Sequence, residues 1–241
     1  MTLEIITPEW PAPPSVKAIQ TTRVGGISLP PYDSFNLGDH VGDRPAAVEQ
    51  NRQLLSRFMP SEPIWLKQVH GIEVIRAEAA GCYPQADACV TNRKNAVCVV
   101  MTADCLPVLF CDDAASVVGA AHAGWRGLAG GVLEATVEAM DRPPSSLMAW
   151  LGPAIGPAAF EVGAEVRDVF LAHDPASVAA FKIHHEKYLA DLYLLARQRL
   201  HALGVTRVFG GAECTYSNPQ RYYSYRRDGQ TGRMGSFIWL S

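Results

Sequence analysis

Ser116-Val117-Val118-Gly119-Ala120-Ala121-His122-Ala123-Gly124-Trp125-Arg126-Gly127-Leu128-Ala129-Gly130-Gly131 is the most telling stretch of this chain. Its first six residues read as a buried strand, and Gly130 to Met140 carries Leu133, Val137 and Met140 on one face of a helix. Strand, glycine-rich turn and helix in succession point to a mixed α/β protein. His122 lies where the strand meets the turn, a place that folds use to present chemistry. The glycines let backbone come close to a ligand, and the helix start that follows offers unpaired N–H groups. An imidazole, a guanidinium and a helix start within a few residues suit an anionic or polar small substrate.

Upstream, Asp87–Val90, Ala96–Met101 and Pro107–Cys111 are short apolar runs. With the strand before His122 they read as a central sheet covered on both faces. Further strands are predicted at Val16–Thr22, Ile64–Leu66 and Val74–Arg76. Asp43 is a candidate N-cap, with Pro45 in the first turn, for a helix to about Phe58. Downstream come a strand at Leu147–Leu151, a rigid turn over Gly152–Pro157, and helices over Ala164–His173 and Tyr188–Leu203, the second stopped by Gly204. A strand at Thr206–Phe209 and a terminal pair, Tyr222–Tyr225 with Ser236–Leu240 across the turn Asp228–Gly232, complete the pattern. Arg23 to Gly42 is a long loop, a length that is often functional. Met1 to Pro14 reads as a proline-rich arm laid over the rest. With no repeat and no linker, residues 1–241 read as one mixed α/β domain.

The 241 residues suffice for a proper core, and the apolar (48%) and charged (19%) fractions are those of a globular protein. The net charge of −3 gives no pull toward nucleic acid or an anionic membrane, and no apolar run approaches the roughly 18 residues of a bilayer span. The acid in Met1-Thr2-Leu3-Glu4-Ile5-Ile6 argues against a signal peptide, so a cytoplasmic protein is expected. Six cysteines, none in a Cys-x-x-Cys pair, speak against a zinc ribbon or a thioredoxin-type site and fit reduced thiols.

Three potential metal ligands occupy comparable strand-to-loop junctions. His70 ends Trp65-Leu66-Lys67-Gln68-Val69-His70-Gly71, Cys105 sits in Thr102-Ala103-Asp104-Cys105-Leu106-Pro107, and His122 ends its strand. Their spacing matches no zinc finger. Two imidazoles and a thiolate suit zinc, and could also take copper, and three protein ligands leave a position open for water or substrate. Spacing leaves a second reading open: each histidine as a hydrogen-bonded strand-end residue, and Cys105 as an ordinary half-buried thiol. His173, His184, His185 and His201 read as surface residues, and His40 is undecided.

These segments bring the chain close to a known family. It resembles the bacterial YfiH-like, laccase-domain (multicopper polyphenol oxidase-like) proteins now regarded as purine nucleoside phosphorylases. The likeness includes Ser34-Phe35-Asn36-Leu37-Gly38, Asn51-Arg52, Lys67–Gly71, Ala86-Asp87-Ala88, Thr102–Pro107 and the His122 segment. It continues through Gly152–Gly156, Cys214-Thr215 and Tyr223–Arg233. The resemblance implies a four-layer α/β/β/α sandwich with mixed sheets. It also implies that His70, Cys105 and His122 form the metal and catalytic cluster, holding zinc or copper. The implied activities are phosphorolysis of adenosine, inosine, guanosine and S-methyl-5'-thioadenosine, and deamination of adenosine. The partners would then be a nucleoside and phosphate; the oligomeric state is left open.

Phosphorolysis needs a dianion held against the anomeric carbon as the purine leaves, which is chiefly positioning and electrostatics. Arg52, Arg126, Arg226 and Arg227 form the pool of candidate clamps, and Asn36 is a candidate for a ribose hydroxyl or base edge. For Arg226 and Arg227 a solvated hairpin is the competing reading. Deamination asks for a proton carrier beside a metal-activated hydroxide, and the His-x-Glu…Cys-x-x-Cys signature of zinc deaminases is absent. Asp104, next to Cys105, is favoured over Glu73, and could equally orient a ligand. Two other chemistries compete. A thiol hydrolase with Cys105 as nucleophile and His122 as base would cleave an amide or ester, in keeping with the family's link to editing of peptidoglycan precursors. A laccase-like phenol oxidase would need several His-x-His pairs, and only His184-His185 is close.

Overall fold

The computed structural model describes residues 2–241. Two sheets stacked face to face form the centre of the molecule. The larger has the strand order β12 (Arg207–Gly210), β8 (Leu147–Leu151), β6 (Leu106–Asp112), β7 (Val118–Ala123), β4 (Ala88–Thr91), β3 (Val74–Arg76). Its edge pairs β12·β8 and β3·β4 are parallel and its inner pairs antiparallel, so the sheet is mixed. The smaller is antiparallel: β1 (Ile5–Ile6), β2 (Val16–Thr21), β13 (Met234–Leu240), β5 (Cys98–Thr102).

The period-two alternation of the strands separates the core into layers. On β6, Leu106, Val108 and Phe110 face one way, toward α3 (Val132–Met140), α4 (Ala164–His173) and α5 (Leu192–Leu203). Leu109 and Cys111 face the other way and meet Cys98, Val100, Ile238 and Leu240 of the smaller sheet. The opposite side chains of that sheet, Val99, Met101, Phe237 and Trp239, pack beneath Leu55 of α1 (Pro45–Leu55) with Phe35, Leu37 and Trp65. Helices, sheet, sheet and helix in that order make the expected four-layer α/β/β/α sandwich. Among the described residues no helix is long and apolar enough to cross a membrane.

Several elements differ from expectation for local reasons. The helix after His122 is two helices, α2 (Trp125–Gly130) and α3, broken at Gly131 in the left-handed conformation with φ 106°. Tyr188-Leu189-Ala190 belongs to β11 (Lys187–Ala190), which pairs with β10 (Phe181–His184) and β9 (Glu161–Val162) in a small third sheet. The following helix therefore starts only at Leu192, capped by the Asp191 side chain. Ile64–Leu66 is not a strand: Ile64 is half-buried and bridges Cys98, and Trp65 and Leu66 are buried. Tyr222–Tyr225 is no strand either. Tyr222 and Tyr223 are buried against Ala103 and Met234, and the chain then turns into the short α6 (Tyr225–Asp228). Arg44, not Asp43, is the N-cap of α1. The N-terminal arm supplies β1, an edge strand on β2.

Candidate metal centre

The site forms where the two sheets part at one rim. His122 shares the parity of Val118 and Ala120 on β7, so its side chain enters from the inter-sheet side. Its main-chain N–H donates to the Asp87 carbonyl (2.7 Å), and its Nδ1 meets the Asp87 carboxylate at 2.8 Å. That contact leaves Nε2 for the cluster. The same fully buried carboxylate accepts the main-chain N–H groups of Val69 (3.1 Å), His70 (2.9 Å) and Gly71 (2.7 Å). One aspartate therefore orients one histidine and shapes the loop carrying the other. His70 itself is held in the left-handed conformation, φ 61°. Gln68 fixes that loop to the smaller sheet, its amide exchanging two hydrogen bonds with the Met101 main chain.

Cys105 stands between β5 and β6, after Asp104 at φ 89°. His70, Cys105 and His122 come together as the sequence analysis expects. Their donor atoms all lie within 4.8 Å of one another, with His70 Nε2 3.7 Å from Cys105 Sγ. Tetrahedral bonds of about 2.0–2.3 Å place ligand atoms roughly 3.3–3.8 Å apart, so a small contraction would close this set on one ion. The donors, two nitrogens and one sulfur, fit zinc or a soft copper ion. Burial pushes the Cys105 thiol up, but the charge of His122 and hydrogen bonds from both imidazoles outweigh it and bring the thiol down to about 6. Burial pulls His122 down, yet the Cys105 charge and the Asp87 hydrogen bond raise it to about 9. Both shifts favour the ion-paired form of the metal-free cluster, a thiolate facing an imidazolium.

The cluster opens into a cavity of 410 Å³ lined also by His40, Gln68, Met101, Thr102, Tyr225 and Arg233. Such a volume suits a small organic molecule. None of the five residues expected to bind substrate lines it. Asn36 is fully buried, and its amide bonds Gly38, Asp43 and the Arg233 main chain, so it holds the loop together. Arg52 donates twice to the Leu37 carbonyl and lies 3.9 Å over the Trp65 ring. Arg126 is exposed on α2 beside Trp125. Arg226 bonds the Glu161 carbonyl, and Arg227 those of Thr215, Tyr216 and Tyr222. Asp104, expected either to carry a proton or to orient a ligand, is held by two hydrogen bonds. Its two carboxylate oxygens accept from Thr215 Oγ1 and the Arg226 main chain, both at 2.6 Å, which braces the Cys105 loop.

The guanidinium that does line the cavity is Arg233, which sequence reasoning passed over. It donates to the Thr231 and Gly232 carbonyls and makes no ion pair among the described residues. Burial holds it below the usual arginine range. Its signal lay in the Thr231-Gly232-Arg233 end of the turn, which returns the chain into β13. Asp87 was equally visible within Ala86-Asp87-Ala88, but without the fold nothing tied it to two histidines.

Comparison with known proteins agrees with this architecture. The chain is 56% identical over 240 residues to the purine nucleoside phosphorylase YfiH of Escherichia coli K12, covering 98% of this chain and 99% of that one. It is 53% identical over 237 residues to the purine nucleoside phosphorylase PA4543 of Pseudomonas aeruginosa, with 98% of each covered. The crystal structure of Neisseria meningitidis protein NMB0706 superimposes with a TM-score of 0.95 at 52% identity, over 98% of this chain and 99% of that one. YlmD of Geobacillus stearothermophilus gives 0.86 at 32% identity, over 94% and 92%. The family described as multi-copper polyphenol oxidoreductase laccase matches residues 17–241. With its sandwich and its His-Cys-His cluster, the chain belongs to that family.

Proposed function

We propose that this protein is a metal-supported purine nucleoside phosphorylase acting on adenosine, inosine, guanosine and S-methyl-5'-thioadenosine, with adenosine deamination as a second activity. The observation that carries the reading is the His70–Cys105–His122 cluster, its donors within 4.8 Å, at the wall of a cavity that also holds an arginine with no ion pair among the described residues. The names of relatives more than half identical over nearly the whole chain, purine nucleoside phosphorylases, support the phosphorolysis. The nucleoside enters the cavity, whose wall includes Tyr225 and Thr102. Arg233 supplies positive charge for the incoming dianion. A zinc or copper ion held by His70, Cys105 and His122 would act as a Lewis acid and lower the pKa of a bound water. Asp87 keeps His122 in the tautomer that presents Nε2 to the cluster. With six free thiols and small-molecule partners, the cytoplasm is the fitting compartment.

Metal-analysed protein incubated with inosine and phosphate is expected to release hypoxanthine. His70→Ala, Cys105→Ala and His122→Ala should each lose both bound metal and base release. Base release that persists while metal is lost would sink the reading. A second reading has one specific observation in its favour: Cys105, His122 and Asp87 line up as nucleophile, base and orienting carboxylate. A thiol hydrolase of that kind, acting on a peptidoglycan-precursor amide or ester, would keep or gain activity when a chelator removes the metal.

A further inference from the structure

Arg233 does not belong to one cavity only. A second cavity, of 350 Å³, adjoins the first and shares His40, Tyr225 and Arg233 with it. The remainder of its wall includes Gly229, Gln230 and Thr231, and no carboxylate lines it. Asp39, beside His40, bonds Tyr83 (2.7 Å) and reaches Arg52 and His40 Nδ1 (each 3.4 Å) without lining the cavity itself. Thr231 is 1% exposed, and its Oγ1 has no hydrogen-bond partner. Buried hydroxyls are nearly always satisfied, and a χ1 rotation toward the adjoining cavity would give this one a bound partner. The metal cavity has an orphan of its own, Thr102 Oγ1, likewise 1% exposed. A guanidinium with no ion pair among the described residues thus stands between two cavities, each with one such threonine in its wall.

We propose that the second cavity seats the inorganic phosphate, gripped by Arg233 and Thr231, while the metal cavity holds the nucleoside with Thr102 toward it. This rests on the phosphorolysis reading and divides the site between the two substrates. A donor-lined cavity free of carboxylates is what a dianion requires. The shared wall then brings a phosphate oxygen toward the anomeric carbon. In the reaction the bond from that carbon to the purine nitrogen breaks, its electron pair leaving with the base. A bond from the carbon to a phosphate oxygen forms. The proton carried by hydrogenphosphate ends on the base, giving ribose 1-phosphate and free purine.

The test uses the metal-loaded protein, inosine at saturation and phosphate varied, with hypoxanthine as readout. Arg233→Gln should raise the KM for phosphate at least tenfold and Thr231→Val several-fold. Metal occupancy should stay unchanged and the KM for inosine within about twofold. Arg233→Lys, which keeps the charge and loses the fork, should fall between wild type and Arg233→Gln. An unchanged phosphate KM in Thr231→Val and Arg233→Gln overturns the assignment, as does a rise confined to the inosine KM, which would give this cavity to the nucleoside. Phosphorus NMR titration of inorganic phosphate onto the same proteins, without nucleoside, separates the two readings. If wild type releases no hypoxanthine, phosphorolysis fails on its own account. Phosphate that then binds wild type but not Arg233→Gln upholds the seat, and phosphate that does not bind wild type ends it.

Discussion

Asp87 is the residue on which the metal centre turns, because four donors converge on one buried carboxylate. Asp87→Asn keeps the volume but replaces one acceptor oxygen with an amide that cannot accept, so a donor among the Val69–Gly71 amides and His122 goes unmet. Loss of such an orienting partner costs about 10- to 100-fold in metal affinity. Competition with a chromophoric chelator should show that fall with the fold intact; wild-type affinity would mean that the cluster orients itself. The sulfur is open to a separate test. In metal-free protein, raising the pH through about 6 deprotonates Cys105, while His122 stays protonated until about 9. Iodoacetamide alkylation of Cys105, followed by mass spectrometry, should therefore rise through a midpoint near pH 6. His122→Gln should move the midpoint upward, because the stabilising positive charge is gone. A wild-type midpoint in the ordinary thiol range would show that no ion pair exists.

Between elements, the glycines of the turn after β7 set how closely the cluster can assemble. A Cβ on Gly124 would lie 2.8 Å from His70 Cδ2 and 2.9 Å from Cys105 Sγ. Both neighbours are side chains that can give way, so Gly124→Ala should fold. The ligand atoms would be displaced by several tenths of an ångström, where a metal site tolerates about 0.2 Å. Metal content at least tenfold lower, with an unchanged far-ultraviolet dichroism spectrum, is the expected outcome; full occupancy would show that the cluster has slack. This turn was legible in the sequence because strand, glycines and helix follow one another in a single segment. The phosphate arginine was not. Arg226, Arg227 and Arg233 are chemically alike, close in the chain and all bonded to main-chain carbonyls, and only the folded path of the chain through α6 and the turn after it places the third, not the first two, in the cavity wall. Tyr188-Leu189-Ala190 was ambiguous in the same way, its few apolar residues fitting helix and strand alike until β10 claims them.

Across the whole molecule, the site divides between the two sheets. His122 lies on β7, Cys105 leads into β6, and Asp87, which orients the loop of His70, leads into β4, all in the larger sheet. Met101 and Thr102 end β5, and Arg233 leads into β13, both in the smaller sheet. The stacking was readable in part: alternation in β6 and in β13 announces two covered faces, but which sheet lies against which depends on contacts between strands more than a hundred residues apart. This division separates metal binding from substrate binding in a way that one core substitution can expose. Leu109 is fully buried in the apolar layer between the sheets. Leu109→Ala should cost about 2–5 kcal/mol, the range for a buried leucine truncated to alanine. For a chain of this size that lowers Tm by roughly 4–20 °C. Because His122 and Cys105 adjoin strands of the larger sheet and Asp87 of that sheet holds the His70 loop, with Gln68 tying the loop to Met101 across the layer, metal affinity below the melting range should stay within about twofold of wild type. The KM values for phosphate and inosine should rise, since the gap that Arg233 and Thr102 span is set by the weakened layer. A melting curve, a chelator titration and steady-state kinetics on the one variant check all three. Metal affinity that falls in step with stability would show that the cluster, too, depends on the packing between the sheets.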